Sequence, residues 1–278
     1  MKVGHKPEGL AVDGHTGLVA VGLANPDRLA LLEARTLRLV RRVRLPESPR
    51  HLALAAPGGP VLVPAERANA LVEVSLPGGR KRVTRVGRLP HDAARARGRV
   101  FVSDELGDSV SVVAGGRRLR ALEAPVQPGG IVATSDRRLV GVVGVRQRAL
   151  RLYDARSLEP AGEVDVGVGP THAVAGRRRF FVVDTRGNGL IEVRVRTEPV
   201  VHRRIHLAGA PYGIALDSRR SRIWVTLTER NLLAELTTRR VLRTYPTVRQ
   251  PNSVAVDPRS GRVFVASRSE GTLQVVDP

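Results

Sequence analysis

Three histidines stand at comparable places in the chain: His51 in P-R-H-L-A-L, His91 in P-H-D-A-A and His172 in P-T-H-A-V-A, each just after a proline and ahead of an apolar run. Imidazoles brought together from separate loops can act as general acid and base or ligate a divalent metal. Glu66, Asp104, Glu105 and Asp184 are the acids that would complete a mixed imidazole and carboxylate donor set. Glu8, Arg50, Asp92, Arg146, Arg186, Tyr212, Asn252 and Arg268 supply polar groups for a bound ligand, the arginines being suited to an anionic one. There is no H-E-x-x-H, no G-x-S-x-G and no phosphate-binding loop. With no cysteine, thiol nucleophiles, thiolate zinc sites and disulfides are excluded.

Whether these residues meet depends on what positions them, and the chain is one unit written seven times. Pro7, Pro49, Pro90, Pro128, Pro170, Pro211 and Pro251 follow one another at intervals of 42, 41, 38, 42, 41 and 40 residues. Three are followed by nearly the same phrase: P-E-G-L-A-V-D, P-Y-G-I-A-L-D and P-N-S-V-A-V-D. A polar turn then leads to a second apolar strand, such as G-R-V-F-V-S, S-R-I-W-V-T or G-R-V-F-V-A-S, with the alternating β-branched and aromatic residues of a sheet. A third strand follows, as in S-V-S-V-V and A-L-R-L-Y-D, and a fourth, as in R-L-V-R-R-V-R-L-P. Four short antiparallel strands recurring about every forty residues are the pattern of a β-propeller blade.

The expected fold is therefore all-β: one domain over residues 1–278, a seven-bladed β-propeller of four-stranded antiparallel blades. The blades run approximately 7–48, 49–89, 90–127, 128–169, 170–210, 211–250 and 251–278 plus 1–6. The last unit has room for only three strands, so the N-terminal strand is expected to join it and close the ring, hiding an open sheet edge.

On these motifs the units resemble the YVTN-type repeat family, whose P-x-G-x-A-V-D phrase and following V-Y-V-A-like strand recur here over essentially the whole chain. The resemblance implies a propeller related to lactonase-like ones. It also implies that the two positions after each anchor proline, and the loop beyond each second strand, share one face around the central channel. His51, His91 and His172 would then meet the acids of the second set at one mouth. Virginiamycin B lyase-like propellers, which place P-H-G turns around a metal, are more weakly similar; here Pro90-His91 carries that dipeptide.

Three functions remain open at this point. The first is a propeller binding a small molecule or a protein at the polar channel mouth, without a catalytic motif. The second is a metal-assisted lyase or lactone hydrolase using the histidines and carboxylates of that mouth. The third is polyanion or nucleic-acid binding, because the formal net charge is +20 and almost all of the positive charge is arginine. The arginines crowd the expected outer strands and first turns, where they also serve solubility and edge protection. His5, His15, His202 and His206 are expected at the surface. No apolar run is long enough to span a membrane, and a monomer is expected. The start M-K-V-G-H has no apolar segment, so the chain as written is expected in the cytoplasm, or outside the cell if a signal segment has been removed.

Overall fold

The computed structural model describes all residues 1–278 and contains strands but no helix. Strands in sequence order hydrogen-bond to their neighbours, giving seven antiparallel sheets of the up-and-down kind. In the first blade these are Leu10–Asp13, Leu18–Leu23, Arg28–Glu33 and Leu39–Arg44, running from the channel to the rim. The seventh sheet has three strands, Pro251–Val256, Val263–Ser267 and Thr272–Val276. Its fourth place is taken by the N-terminus, where Lys2 bridges Thr272, Val3 donates to the Gly271 carbonyl and Leu273 donates to the Met1 carbonyl.

Burial explains why this sequence makes a ring. Second and third strands are buried on both faces, so they read as almost unbroken apolar runs such as L-V-A-V-G-L and V-F-V-A-S. The outer strands read as arginine alternating with valine or leucine and are largely exposed. Seven apolar clusters hold the blades, each joining one sheet to the next. The one containing Phe101, Ile131 and Tyr153 ties the third blade to the fourth. The one containing Leu10, Val21, Phe264 and Leu273 ties the seventh to the first. Ring closure therefore rests on buried side chains as well as on the short N-terminal bridge. All four phenylalanines, Phe101, Phe180, Phe181 and Phe264, and the single tryptophan, Trp224, are buried second-strand residues.

Two local features bear on how the blades join. V-G-V-G, Val166 to Gly169, is a turn between blades rather than strand, because the outer strand ends at Asp165 and the next inner strand begins at Pro170. The inner strand of the second blade is only Ala53–Leu54, supplemented by a bridge from Pro49 to Ala65.

Candidate functional site

All seven inner strands face a central channel, a cavity of about 250 Å³ lined by short stretches that include Leu10, Leu52, Ile131, Ile214 and Val254. Its wall is mostly apolar, so polar chemistry concentrates at the ends. At one end the turns after the anchor prolines gather His51, His91, His172 and Tyr212. The His51 and His172 rings lie 4.2 Å apart, His51 and His91 4.7 Å, and the Tyr212 ring meets His172 edge-on at 4.7 Å.

The closest approach is between nitrogens: His51 Nε2 lies 2.9 Å from His172 Nε2. Two imidazoles can share such a contact only if one donates and the other accepts, so the two rings cannot both be protonated there. Burial keeps them neutral, pushing His51 well below its ordinary value with the neighbouring His172 adding to the effect. Burial and then the charge of His91 push His172 down to about 3. His172 Nδ1 is buried without a well-aligned partner, although the Tyr212 backbone lies close enough to favour a proton on it.

His91 is held differently. Its Nδ1 faces Glu105 Oε2 at 3.0 Å and Glu66 Oε1 at 3.7 Å, leaving Nε2 as its open ligand atom. The hydrogen bond from His91, with a second from Gln127, brings the Glu105 carboxyl down to about 2. Arg50 reaches Glu66 at 3.1 Å and Glu105 at 3.7 Å, so this guanidinium knits the two carboxylates together. Glu66 is nonetheless raised, because burial outweighs the pull of Arg50 and His91. Glu8 is raised for the same reason and pairs with Arg268 at 3.1 Å. Burial pushes the Tyr212 hydroxyl up to about 12. The three imidazoles form one group whose ligand atoms all lie within 4.8 Å, and Glu66, His91 and Glu105 form a second group sharing His91.

Other candidates fall outside this constellation. The Asp184 carboxylate accepts from the amides of Val168, Gly169 and Gly187 at 2.7 to 3.1 Å, and Gly167 and Gly187 fold so tightly over it that a Cβ on either would collide with its oxygen. Asp104 likewise accepts from Gly87, Ser109 and Ser111. Two of the four expected metal carboxylates are thus committed to the turns between blades. Asp92 lines the channel below the imidazoles and accepts from the Ala93 and Ile131 amides, and burial raises it to about 6. Arg146 and Arg186 are exposed and do not pair with the mouth; Arg186 donates to the Val168 carbonyl instead. Asn252 lines the channel with its amide oxygen on the Arg268 backbone, and its Nδ2 is buried without a partner. Gln127, which the sequence reading missed, supports Glu105; it occupies the place just before an anchor proline.

Six buried side-chain polar atoms in the molecule have no hydrogen-bond partner; His172 Nδ1 and Asn252 Nδ2 are two of them at this mouth, and Glu66 Oε1 is a third, met only by its ion pair with Arg50 at 3.1 Å. Such orphans are rare in folded proteins, so their presence here makes this mouth the candidate site.

Fold and mouth together define a seven-bladed β-propeller of four-stranded blades with a polar, histidine-rich channel entrance. No family model matches the sequence, and no curated protein matches it. Solved structures do match across the fold. Hydrazine synthase of Kuenenia stuttgartiensis is 13% identical, with 100% of this chain and 97% of that chain covered and a TM-score of 0.85. A catalytically inactive His-to-Ala variant of virginiamycin B lyase from Staphylococcus aureus, with quinupristin, is 15% identical over 96% of this chain and 94% of that one, at a TM-score of 0.81. A Swd1 β-propeller domain from Myceliophteria thermophila is 11% identical over 100% and 98%, at 0.86. At these identities the likeness is one of architecture, which enzymes and scaffold proteins share.

Proposed function

We propose that the chain is a binding propeller that takes a small ligand at its channel mouth, with a divalent metal held by His51, His91 and His172 as the anchoring element. The observation supporting this reading is the 2.9 Å approach of two neutral imidazole nitrogens beside a third imidazole. Two nitrogen lone pairs at that separation repel unless a proton or a cation lies between them. Nitrogens about 2.0–2.1 Å from a tetrahedral ion sit roughly 3.3 Å from each other, so a small opening of the pair would admit one. Glu105 on His91 Nδ1 is the outer carboxylate that fixes a ligating ring's tautomer. Charge agrees: Glu8, Glu66 and Glu105 face Arg50 and Arg268, an acid-rich island in a chain of formal net charge +20.

The test is titration of EDTA-stripped protein with zinc, manganese or cobalt. The proposal expects saturation near one ion per chain, a cobalt d–d spectrum, and loss of both in the His51→Ala/His91→Ala/His172→Ala variant. Binding that survives the triple substitution would remove the reading.

A second reading, metal-assisted lyase or lactone hydrolase, is favoured by Glu66 and Tyr212. A metal held there would polarise a carbonyl or carboxylate oxygen of the substrate. Glu66, raised by burial, can take a proton from substrate, and Tyr212, protonated to about 12, can give one. Arg50 can orient an oxyanion. The similar S. aureus lyase, inactive as a His-to-Ala variant, is consistent with histidine chemistry on this architecture. Turnover of quinupristin or of a lactone panel, abolished by Glu66→Gln with metal binding retained, would establish it; no turnover with any member leaves the binding reading.

A further inference from the structure

At the far end of the channel from the histidines, the hairpin turns between inner and second strands enclose a cavity of about 560 Å³. Arg137, Arg219 and Arg259 line it, with His15, and none of the three guanidiniums pairs with a carboxylate. Arg219 and Arg259 are exposed at the rim of the cavity. Arg137 is half-buried, donates one N–H to the Arg95 carbonyl, and has its guanidinium pushed down by burial and by the charge of Arg95. The side chain of Arg219 makes no hydrogen bond, and Arg259 reaches only the Gly14 carbonyl, at 3.3 Å. The one acid lining the cavity, Asp13, is used up by the Thr16 hydroxyl and by the amides of His15, Thr16 and Gly58.

The turns that present these groups are built alike. Asp13, Asp217 and Asp257 close the repeated A-V-D or A-L-D phrase, and each carboxylate accepts the amides two and three residues on. The residue two places after the aspartate is His15, Arg219 or Arg259, so a rigid Asx turn delivers each cationic or titratable side chain to the same cavity. Blades seven and one pack closely there: a Cβ on Gly14 would come 2.9 Å from Pro258 Cγ. The cavity adjoins the channel, since Leu54 and Arg137 line both.

We propose that this end of the channel is a second binding site, for a small, multiply charged oxyanion of the phosphoryl or polycarboxylate class. Three guanidiniums without counter-charge around a cavity of small-molecule size, two of them carried on preformed Asx turns and the third anchored on the Arg95 carbonyl, match the forked recognition that arginine gives such groups. The assignment stands independently of the metal reading at the mouth.

Calorimetric titration with pyrophosphate, citrate and AMP at about 150 mM salt, where most of the long-range field is screened, tests it. The expected result is saturable one-site binding of at least one of them, with the tightest naming the class. Arg219→Gln and Arg259→Gln should each weaken that binding about tenfold or more, as loss of a charge-assisted hydrogen bond does. Arg42→Gln/Arg204→Gln, which removes two exposed outer-strand charges, should change it less than about twofold, because those charges lie outside the site. Arg219 has no side-chain bonds to lose, so an unchanged melting temperature in its variant separates binding from folding. The His51→Ala/His91→Ala/His172→Ala variant should keep the anion. Absence of saturable binding by all three anions, or equal weakening in the outer-strand control, would overturn the site.

Discussion

Acidifying the metal-free protein from about pH 7.5 to 5 exposes the most unusual electrostatic feature of the mouth, its neutral imidazole pair. Unfolded, His172 takes a proton as pH falls through about 6.5; folded, it refuses one until about 3. Its folded value is depressed, so its contribution to stability is full above 6.5 and drains away as pH falls toward 3. At about pH 5 the unfolded chain gains roughly 2 kcal/mol from that proton, and His51, depressed in the same direction, adds to the loss. Asp92 works the other way: raised from 3.8 to about 6, it takes a proton in the folded chain first and returns roughly 1 kcal/mol at pH 5. Urea unfolding of the parent and of His172→Asn, in EDTA at both pH values, leaves Asp92 common to both proteins and reports His172 together with its share of the shift on His51. The parent should lose about 2 kcal/mol more than the variant on acidification. Equal losses would mean that His172 is not held neutral, and the packing described for the mouth would be wrong.

Other expectations follow from the same geometry. Glu105→Gln removes the charge that fixes His91 and should weaken metal binding by about 10–100-fold while leaving the circular dichroism spectrum unchanged. Asp184→Asn cannot accept all the amides of Val168, Gly169 and Gly187, and should cost about 2 kcal/mol or more in urea unfolding with no direct effect on metal stoichiometry. Deleting residues 1–3 removes the bridge to Thr272 and bares the third strand of the last blade, so a lower melting temperature and concentration-dependent association are expected by light scattering. Phe264→Ala empties the cluster that joins the seventh blade to the first, and should cost about 3–5 kcal/mol.

The ring was legible because its causes are local and repeated. The spacing of the prolines, the apolar second strands and the arginine-rich outer strands each report burial directly, and seven copies make the pattern hard to mistake. The convergence of His51, His91 and His172 was legible only through the repeat, since equivalent turns must meet around the axis. What escaped was the division of labour among the acids. Glu105 and Asp104 are adjacent in sequence, yet one supports His91 and the other holds a turn. A signal did exist: V-G three or four residues before an anchor proline accompanies an aspartate at the end of the next second strand, as in Val86-Gly87 with Asp104 and Val166-Gly167 with Asp184. In both, the glycine lets the backbone lie against the carboxylate. Arg146 and Arg186 misled because long side chains on exposed loops have no partner near the mouth to draw them inward.

The central claim, that the three histidines form a metal-anchored ligand site, is tested most directly by a crystal structure of the metal-loaded protein with anomalous data collected at the metal edge. A single peak is expected between His51, His91 and His172, with imidazole nitrogens at about 2.0–2.1 Å for zinc. A mouth without such a peak at saturating metal, with His51 and His172 still in direct contact, would contradict it.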